Sequence, residues 1–161
     1  MVMMHDVLEY LHDSPRELLN SLVQLIKPEG LLFITVPNAV NIRKRISILL
    51  GKINLTGFGS YYWYPGPWRG HIREYVRDDL VKLSEYLGLF VVELRSCHHM
   101  PQKIPRSIRP VYVCLTSLFQ GCRNSWLLVA KKPLAWKTRR KLATDELKRI
   151  YGAVSPYYSS M

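Results

Sequence analysis

The most informative stretch of the chain is residues 14–38, which read SPRELLNSLVQLIKPEGLLFITVPN. Ser14, Pro15 and Glu17 are typical of a helix start, in which the serine caps the first turn and the glutamate completes a capping box. Apolar residues then recur at helical spacing as far as Ile26, where the KPEG turn ends the pattern. The stretch therefore predicts a helix over about residues 15–26.

The residues after this turn predict a strand. Leu31–Val36 is almost entirely apolar and is followed by Pro-Asn, which is typical of a strand covered on both faces of a sheet. The order helix, glycine, strand recurs in a helix that Gly88 ends and a strand over Leu89–Leu94. A short apolar strand is predicted over Trp126–Ala130. We therefore expect an α/β fold.

Four further segments are less regular. A helix is predicted over Asn41–Leu50, with Ile42, Ile46, Leu49 and Leu50 on one side, Arg43, Lys44 and Arg45 on the other, and Gly51 as its end. Residues 51–70 form a loop rich in glycine, proline and aromatic residues. In the stretch 97–124, the apolar piece Val111–Phe119 fits a helix or a strand, and a helix is favoured. A basic helix is expected from about Thr138 to Ile150.

Composition restricts the class of protein. The length of 161 residues, with 48% apolar and 22% charged residues, fits one folded domain and excludes wholesale disorder, collagen-like repeats and disulfide scaffolds. The formal net charge is +11, and the chain has no acidic residue between Glu93 and Asp145. This third of the chain is expected to attract phosphates of nucleic acid, an anionic membrane or a substrate.

Cysteine usage and hydropathy bear on the compartment. Cys97, Cys114 and Cys122 are widely spaced and form neither a CxxC pair nor a disulfide framework, so buried thiols in a reducing compartment are expected. No window has the apolar length of a membrane span, and no basic flank precedes an apolar run at the N-terminus. A cytoplasmic protein is expected, attached to a membrane surface at most.

The order of motifs resembles class I S-adenosylmethionine-dependent methyltransferases. The matching runs are HDVLEYLHDSP at residues 5–15, LIKPEGLL at 25–32, VPN at 36–38 and GHIREY at 70–75. Tyr10 stands where the family usually has His, and Glu29 replaces the first Gly of its Pro-Gly-Gly turn. The resemblance implies a partial Rossmann-like sheet, built from the family's last strands with the final strand antiparallel and helices flanking it. Residues 1–133 would be the C-terminal half of a methyltransferase domain and residues 134–161 a basic helical tail.

The family's cofactor loop has no counterpart in the chain. In the family that the chain resembles, a glycine-rich loop after the first strand and an acidic residue at the end of the second hold the cofactor, and this sequence contains neither. We therefore expect a truncated enzyme, one part of a split enzyme, or a longer protein in which Met1 is an internal start. The absent strands would leave one sheet edge uncovered, so a homodimer or a complementary chain is an expected partner.

The resemblance also implies roles for individual residues. Met4, His5 and Glu9 would lie beside the methionine part of S-adenosylmethionine, although a strand end and a loop entering a helix explain them equally. His71 is the candidate catalytic base, since a histidine can deprotonate a hydroxyl near neutral pH. The alternative is that His71 orders its own loop.

An acceptor site is expected around the aromatic loop. Its rings can cover an apolar or aromatic acceptor, or can instead pack on one another as a surface loop. The candidate acceptor-binding residues are Asn38, Tyr61, Tyr62, Trp63, Tyr64, Trp68 and Arg73. Cys97-His98-His99 has no second ligand cluster, so no metal site is predicted.

Two functional hypotheses follow. The first is a methyltransferase, truncated or split, acting on a small molecule, for which lipid- and sugar-linked acceptors are candidates. The second is a non-catalytic binding or assembly module with a methyltransferase-derived fold and a basic surface for anionic partners. An anionic membrane surface fits the basic C-terminal third, whereas nucleic acid is not expected because no nucleic-acid module accompanies it.

Overall fold

A computed structural model describes residues 1–52, 56–98, 105–141, 146 and 149–150. The strands are β1 (Val2–His5), β2 (Leu31–Pro37), β3 (Phe90–Cys97) and β4 (Ser125–Lys131). The helices are α1 (Arg16–Leu25), α2 (Ile42–Leu49), α3 (Phe58–Tyr62), α4 (Arg77–Leu87) and α5 (Arg109–Leu118), with 3₁₀ turns at Leu8–Tyr10 and Gln120–Cys122. None of the helices in the described part of the chain is long and apolar enough to cross a membrane.

The strands form one mixed sheet in the order β1-β2-β4-β3. β1 runs parallel to β2, with Met4 opposite Ile34. β4 comes last in sequence but lies between β2 and β3, antiparallel to both. The predicted α/β class, the shared sheet of β2 and β3, and the antiparallel final strand are confirmed.

Most of the predicted helix boundaries are confirmed, but the predicted capping box of α1 is wrong. α1 begins at Arg16, whose N–H donates to the Ser14 hydroxyl at 3.4 Å. The Glu17 carboxylate instead pairs with the guanidinium groups of Arg16 and Arg140, each at 3.4 Å. α4 ends as predicted at Gly88, which is left-handed at φ 66°. Glu29 takes the same left-handed conformation, at φ 65°, in the turn before β2.

α1 and α4 pack on one face of the sheet and form the core with it. The buried residues of this core include Leu19 and Val23 of α1, Leu80 and Leu87 of α4, and Leu32, Ile34, Val36, Trp126, Leu128 and Ala130 of the sheet. On the opposite face of β2, Leu31, Phe33 and Thr35 are only half-buried, and Met3 on β1 is exposed. The prediction that β2 is covered on both faces is therefore wrong, since both core helices pack on the same face.

α2 and α5 bury polar side chains and expose apolar ones. In α2, Lys44 is buried, whereas Leu49 on the predicted apolar side is 85% exposed. In α5, Thr116 is buried, whereas Val111, Leu115 and Leu118 are exposed. An amphipathic surface helix normally turns its apolar side to the core. These two helices have the reverse arrangement.

The chain after β4 crosses α1 and α4. The Lys132 ammonium donates to the carbonyls of Val23, Gln24 and Ile26 at 2.6–3.4 Å, which neutralises unpaired acceptors at the end of α1. The Trp136 indole N–H donates to the carbonyl of Leu87 at 2.7 Å. Residues 138–141 are not helical, so the expected basic helix does not begin at Thr138. Most of the remaining segment lies outside the described residues.

The structure also tests the predictions for the aromatic loop, the apolar piece after Pro110 and the cysteines. The aromatic loop contains one helical turn, α3, that the sequence analysis did not predict. The apolar piece after Pro110 is helical, as favoured. All three cysteines are free, but Cys114 is exposed and the other two are half-buried, so the expectation of buried thiols is wrong for Cys114.

Candidate functional site

The site lies where the two parallel strands end. β1 leads into the 3₁₀ turn Leu8–Tyr10, and β2 leads into the segment from Asn38 to Asn41. Loops at the carboxyl ends of parallel strands meet at one edge of a sheet, which is where α/β folds bind ligands. The side chain of Asn41 accepts the Lys44 N–H at 3.1 Å and caps α2 there.

The segment 71–75 is held between these two loops. The backbone N–H groups of Ile72 and Arg73 donate to the Glu9 carbonyl at 2.7 and 3.3 Å. The Ala39 N–H donates to the Tyr75 carbonyl at 3.1 Å. These bonds place His71 beside Tyr10, with ring centroids 4.9 Å apart.

His71 belongs to a chain of polar contacts. Its Nδ1 lies 3.0 Å from a carboxylate oxygen of Glu74, and its Nε2 lies 3.2 Å from the Tyr10 hydroxyl. The second carboxylate oxygen of Glu74 accepts from the buried Lys44 ammonium. A carboxylate at Nδ1 selects the tautomer that carries its proton there, so Nε2 is left as a proton acceptor.

Burial sets the charge of this cluster. Desolvation, and next the charge of Lys44, lowers the pKa of His71 below its usual 6.5, which favours the neutral ring at pH 7. Desolvation, reinforced by Arg43, lowers the pKa of Lys44 to about 8. The imidazole is thus both oriented and uncharged.

Glu9 is the most unusual carboxyl group of the site. The residue is 1% exposed, and its Oε2 has no hydrogen-bond partner. Burial raises its pKa to about 7, from 4.5. Near neutral pH this group can therefore gain or lose a proton, or receive a hydrogen bond from a ligand.

A large open pocket joins these groups. Its volume is about 890 Å³, and Glu9, Tyr10, His71 and Glu74 lie in its wall. α2 contributes Ile42 and Ile46, and α5 contributes Val111, Tyr112, Leu115 and Thr116. Its size is that of a small-molecule site, and its wall combines polar groups with the apolar residues of α2 and α5.

The three residues expected on the cofactor side do not converge. Met4 is buried in the core, opposite Ile34. His5, next along the strand, points to the other face, where its Nδ1 contacts the Thr35 hydroxyl. Only Glu9 reaches the pocket.

The expected acceptor residues lie outside the pocket wall. Trp68 makes edge contacts with Tyr61 and Tyr64 at 5.3 and 5.1 Å between ring centroids, and its indole N–H points to the His71 carbonyl at 3.5 Å. Tyr62 and Trp63 are exposed. The loop therefore contains a small aromatic cluster attached to the His71 backbone.

The other two expected acceptor residues have partners of their own. The Asn38 amide donates to the carbonyls of Gly121 and Arg123 at 2.9 and 2.8 Å, which ties the end of β2 to the segment before β4. The Arg73 guanidinium lies 3.4 Å from the Asp79 carboxylate. Both arrangements are structural contacts.

The sequence analysis missed Glu74 and Lys44 and assigned Tyr10 no role. The spacing His71-x-x-Glu74 was a usable signal for a histidine oriented by a carboxylate, whereas Lys44 was placed on the basic side of α2. Among the described residues, no group of three His, Cys, Asp or Glu is placed to hold a metal ion. His99, the last residue of the Cys-His-His run, lies outside the described residues.

Comparisons with known proteins identify the family. The profile of a family described as "Methyltransferase domain" matches residues 1–94, and no curated protein matches the chain. Among solved structures, a SAM-dependent methyltransferase from Archaeoglobus fulgidus is similar, with 18% identity and a TM-score of 0.44, over 81% of this chain and 58% of that one. The chain thus spans less than two thirds of that protein. Because the family profile covers more than half of its residues, the chain belongs to the methyltransferase domain family.

Proposed function

We propose that the chain forms the acceptor side of a methyltransferase in which His71 removes a proton from a small-molecule acceptor. The observation that carries the proposal is the contact of Nδ1 with Glu74, which leaves Nε2 as a base in the pocket wall. Acceptors that are lipid- or sugar-linked fit best, because the wall combines apolar residues of α2 and α5 with hydrogen-bonding groups.

The proposed proton transfer runs from the acceptor to His71. An acceptor hydroxyl would take the place of the Tyr10 hydroxyl beside Nε2, or reach Nε2 through it. The O–H bond breaks, and its proton moves to Nε2 of His71. The charge on the resulting imidazolium is stabilised by the carboxylate of Glu74. S-adenosylmethionine, when bound, supplies the methyl group that the acceptor oxygen receives.

The described residues provide only part of a cofactor site. Glu9 offers an unpartnered buried oxygen to a donor group, whereas Met4 and His5 are directed elsewhere. We therefore propose that a second chain, either another copy or a complementary chain, completes the site. The support for this is that β1 is an edge strand of the sheet and that Met1 and Met3 beside this edge are exposed.

The alternative is a binding or assembly module without activity. It is favoured because the side chains of Met4, His5 and Glu9 point to different places, and because the edge of β1 is open. Either function is compatible with the cytoplasm, where free thiols such as Cys97, Cys114 and Cys122 stay reduced.

Calorimetric titration with S-adenosylhomocysteine separates the two functions. For the methyltransferase we expect saturable binding, with a stoichiometry that shows whether two chains share one site. The Glu9→Gln variant should bind more weakly, while Glu85→Gln, a matched change on the exposed surface of α4, should bind normally. No heat from a demonstrably folded sample would favour the assembly module.

Turnover tests the assigned base. Once an acceptor is found, His71→Gln should lower kcat by roughly 10²–10⁴-fold, the usual contribution of a general base. His12→Gln, an exposed histidine outside the pocket wall, is the control. In Glu74→Gln, kcat should fall less than in His71→Gln, because the imidazole is still present and loses only the carboxylate that orients it through Nδ1. Equal rates in His71→Gln and the unmodified chain would exclude His71 as the base.

A further inference from the structure

The pocket opens between two helices whose apolar side chains point outward. Ile46 and Leu49 of α2 and Val111, Leu115 and Leu118 of α5 are all exposed, and we name these five residues the apolar rim. Ile46, Val111 and Leu115 also line the pocket, so the rim is continuous with its interior. Exposed apolar residues in a continuous patch mark a surface that binds something.

The reversed orientation of these helices is maintained by polar contacts. Lys44 of α2 turns inward to pair with Glu74, and the Thr116 hydroxyl of α5 lies 2.9 Å from Nε2 of His98. Tyr112 of α5 donates its hydroxyl to the Asn124 side chain at 2.7 Å. The outward position of the apolar residues is therefore specified by the fold.

The exposed charged residues on α2 and just before α5 are basic. No acidic residue occurs between Glu29 and Glu74 or between Glu93 and Asp145, the two stretches that contain α2, α3 and α5. Arg43 and Arg45 on α2 and Arg106 just before α5 are exposed. The acidic residues of the pocket, Asp6, Glu9 and Glu74, belong to other segments of its wall. Exposed apolar residues beside exposed basic ones are the pattern of helices that lie in the headgroup region of an anionic bilayer.

We propose that the apolar rim inserts into the surface of an anionic lipid bilayer, so that the pocket opens toward the membrane and receives an acceptor with an apolar chain. The partner is the bilayer because exposed basic residues lie beside the apolar rim, whereas nucleic acid would require only the basic residues. Docking itself does not depend on catalysis, although the methylation of a lipid-linked acceptor rests on the proposed function.

Vesicle co-sedimentation of the full chain tests the docking. We expect retention on phosphatidylcholine vesicles that contain phosphatidylglycerol, weaker retention on phosphatidylcholine alone, and a decrease with salt. Leu49→Glu and Leu118→Glu should each weaken vesicle binding roughly tenfold or more. Each variant loses an apolar side chain that would be buried in the bilayer and places a carboxylate at the lipid surface. Both residues are highly exposed, at 85% and 71%, so the fold should persist.

The control is Leu25→Glu, which makes the same change of charge at a leucine of α1 that is 77% exposed. It should bind vesicles as the unmodified chain does. An equal loss of vesicle binding in all three variants would mean that only net charge matters, and it would overturn the proposal. The proposal would also be overturned if the folded, unmodified chain were not retained on vesicles. Binding to duplex DNA that the rim variants leave unchanged, without vesicle binding, would assign the basic surface to nucleic acid. If vesicle binding fails while S-adenosylhomocysteine still binds, only this inference is lost.

Discussion

Two regions of this molecule differ in where they place leucine side chains. The core region, α1 and α4 on the sheet, buries leucines such as Leu80, which is 0% exposed. The site region, α2 and α5 around the pocket, exposes them, as at Leu49. Helix–sheet packing orients the first pair through apolar contacts, whereas the second pair is oriented by polar contacts that include Lys44 with Glu74. The leucines that stabilise the core and those of the proposed binding surface thus lie on different helices.

The strongest test of this division replaces one leucine in each region. Leu80→Ala should destabilise the protein by about 2–5 kcal/mol, because it removes a fully buried side chain from the core and leaves a cavity. Leu49→Ala should change the free energy of unfolding by less than about 0.5 kcal/mol. Urea denaturation measures both. Similar losses in the two variants would mean that Leu49 is covered in solution.

A second test concerns Glu9, which lies where the two regions meet. Its folded pKa of about 7 is raised above the ordinary 4.5, so the folded chain retains a proton that the unfolded chain releases between these values. Its contribution to stability is complete below pH 4.5 and is lost as the pH rises through 7. Glu9→Gln stays neutral, so its stability relative to the unmodified chain should increase between pH 5 and 8.

The measurement is the free energy of unfolding of both proteins across this range, with Glu85→Gln as the control. We expect a divergence of about 1–3 kcal/mol by pH 8, as a pKa shift of this size implies. Parallel pH dependences of the two proteins would show that water or a counter-charge reaches Glu9, and that the pocket around Glu9 is more hydrated than the core.

A third test, with a smaller expected effect than those at Leu80 and Glu9, concerns Glu29 in the turn of the core region. Its φ of 65° is costly for a residue with a side chain, so Glu29→Gly should stabilise the fold by about 0.5–1 kcal/mol, even though its exposed contact with Lys131 is lost. Glu29→Gln keeps the backbone penalty and removes the charge. If thermal unfolding shows the same midpoint for both variants, the turn carries no such penalty.

The core region was predictable because its signals are local. Pro15, the turn after Ile26 and Gly88 mark helix ends through their own backbone preferences, and α1, β2 and α4 follow from them. The short helix α3 was not predictable in this way. Its aromatic and glycine residues have no amphipathic pattern, and its turn is accompanied by a contact with Trp68.

The site region depends on contacts between distant parts of the chain. His71 meets Tyr10 across 61 positions, and Lys44 meets Glu74 across 30. The amphipathic pattern of α2 indicated a helix correctly, but periodicity does not show which side faces inward. Strand alternation alone places Met4 and His5 on opposite faces, so the sequence already indicated that their side chains point in different directions. The spacing of His71 and Glu74 was the other local signal.

The position of β4 between β2 and β3 has a consequence for how the chain folds during synthesis. Until residues 125–131 emerge from the ribosome, β2 and β3 have no common neighbour, and one edge of each lacks its hydrogen bonds. Pairings between such distant segments form slowly, and unpaired apolar strands are prone to aggregate. Folding should therefore finish after translation has passed β4, and a nascent chain arrested before Ser125 should be a chaperone substrate.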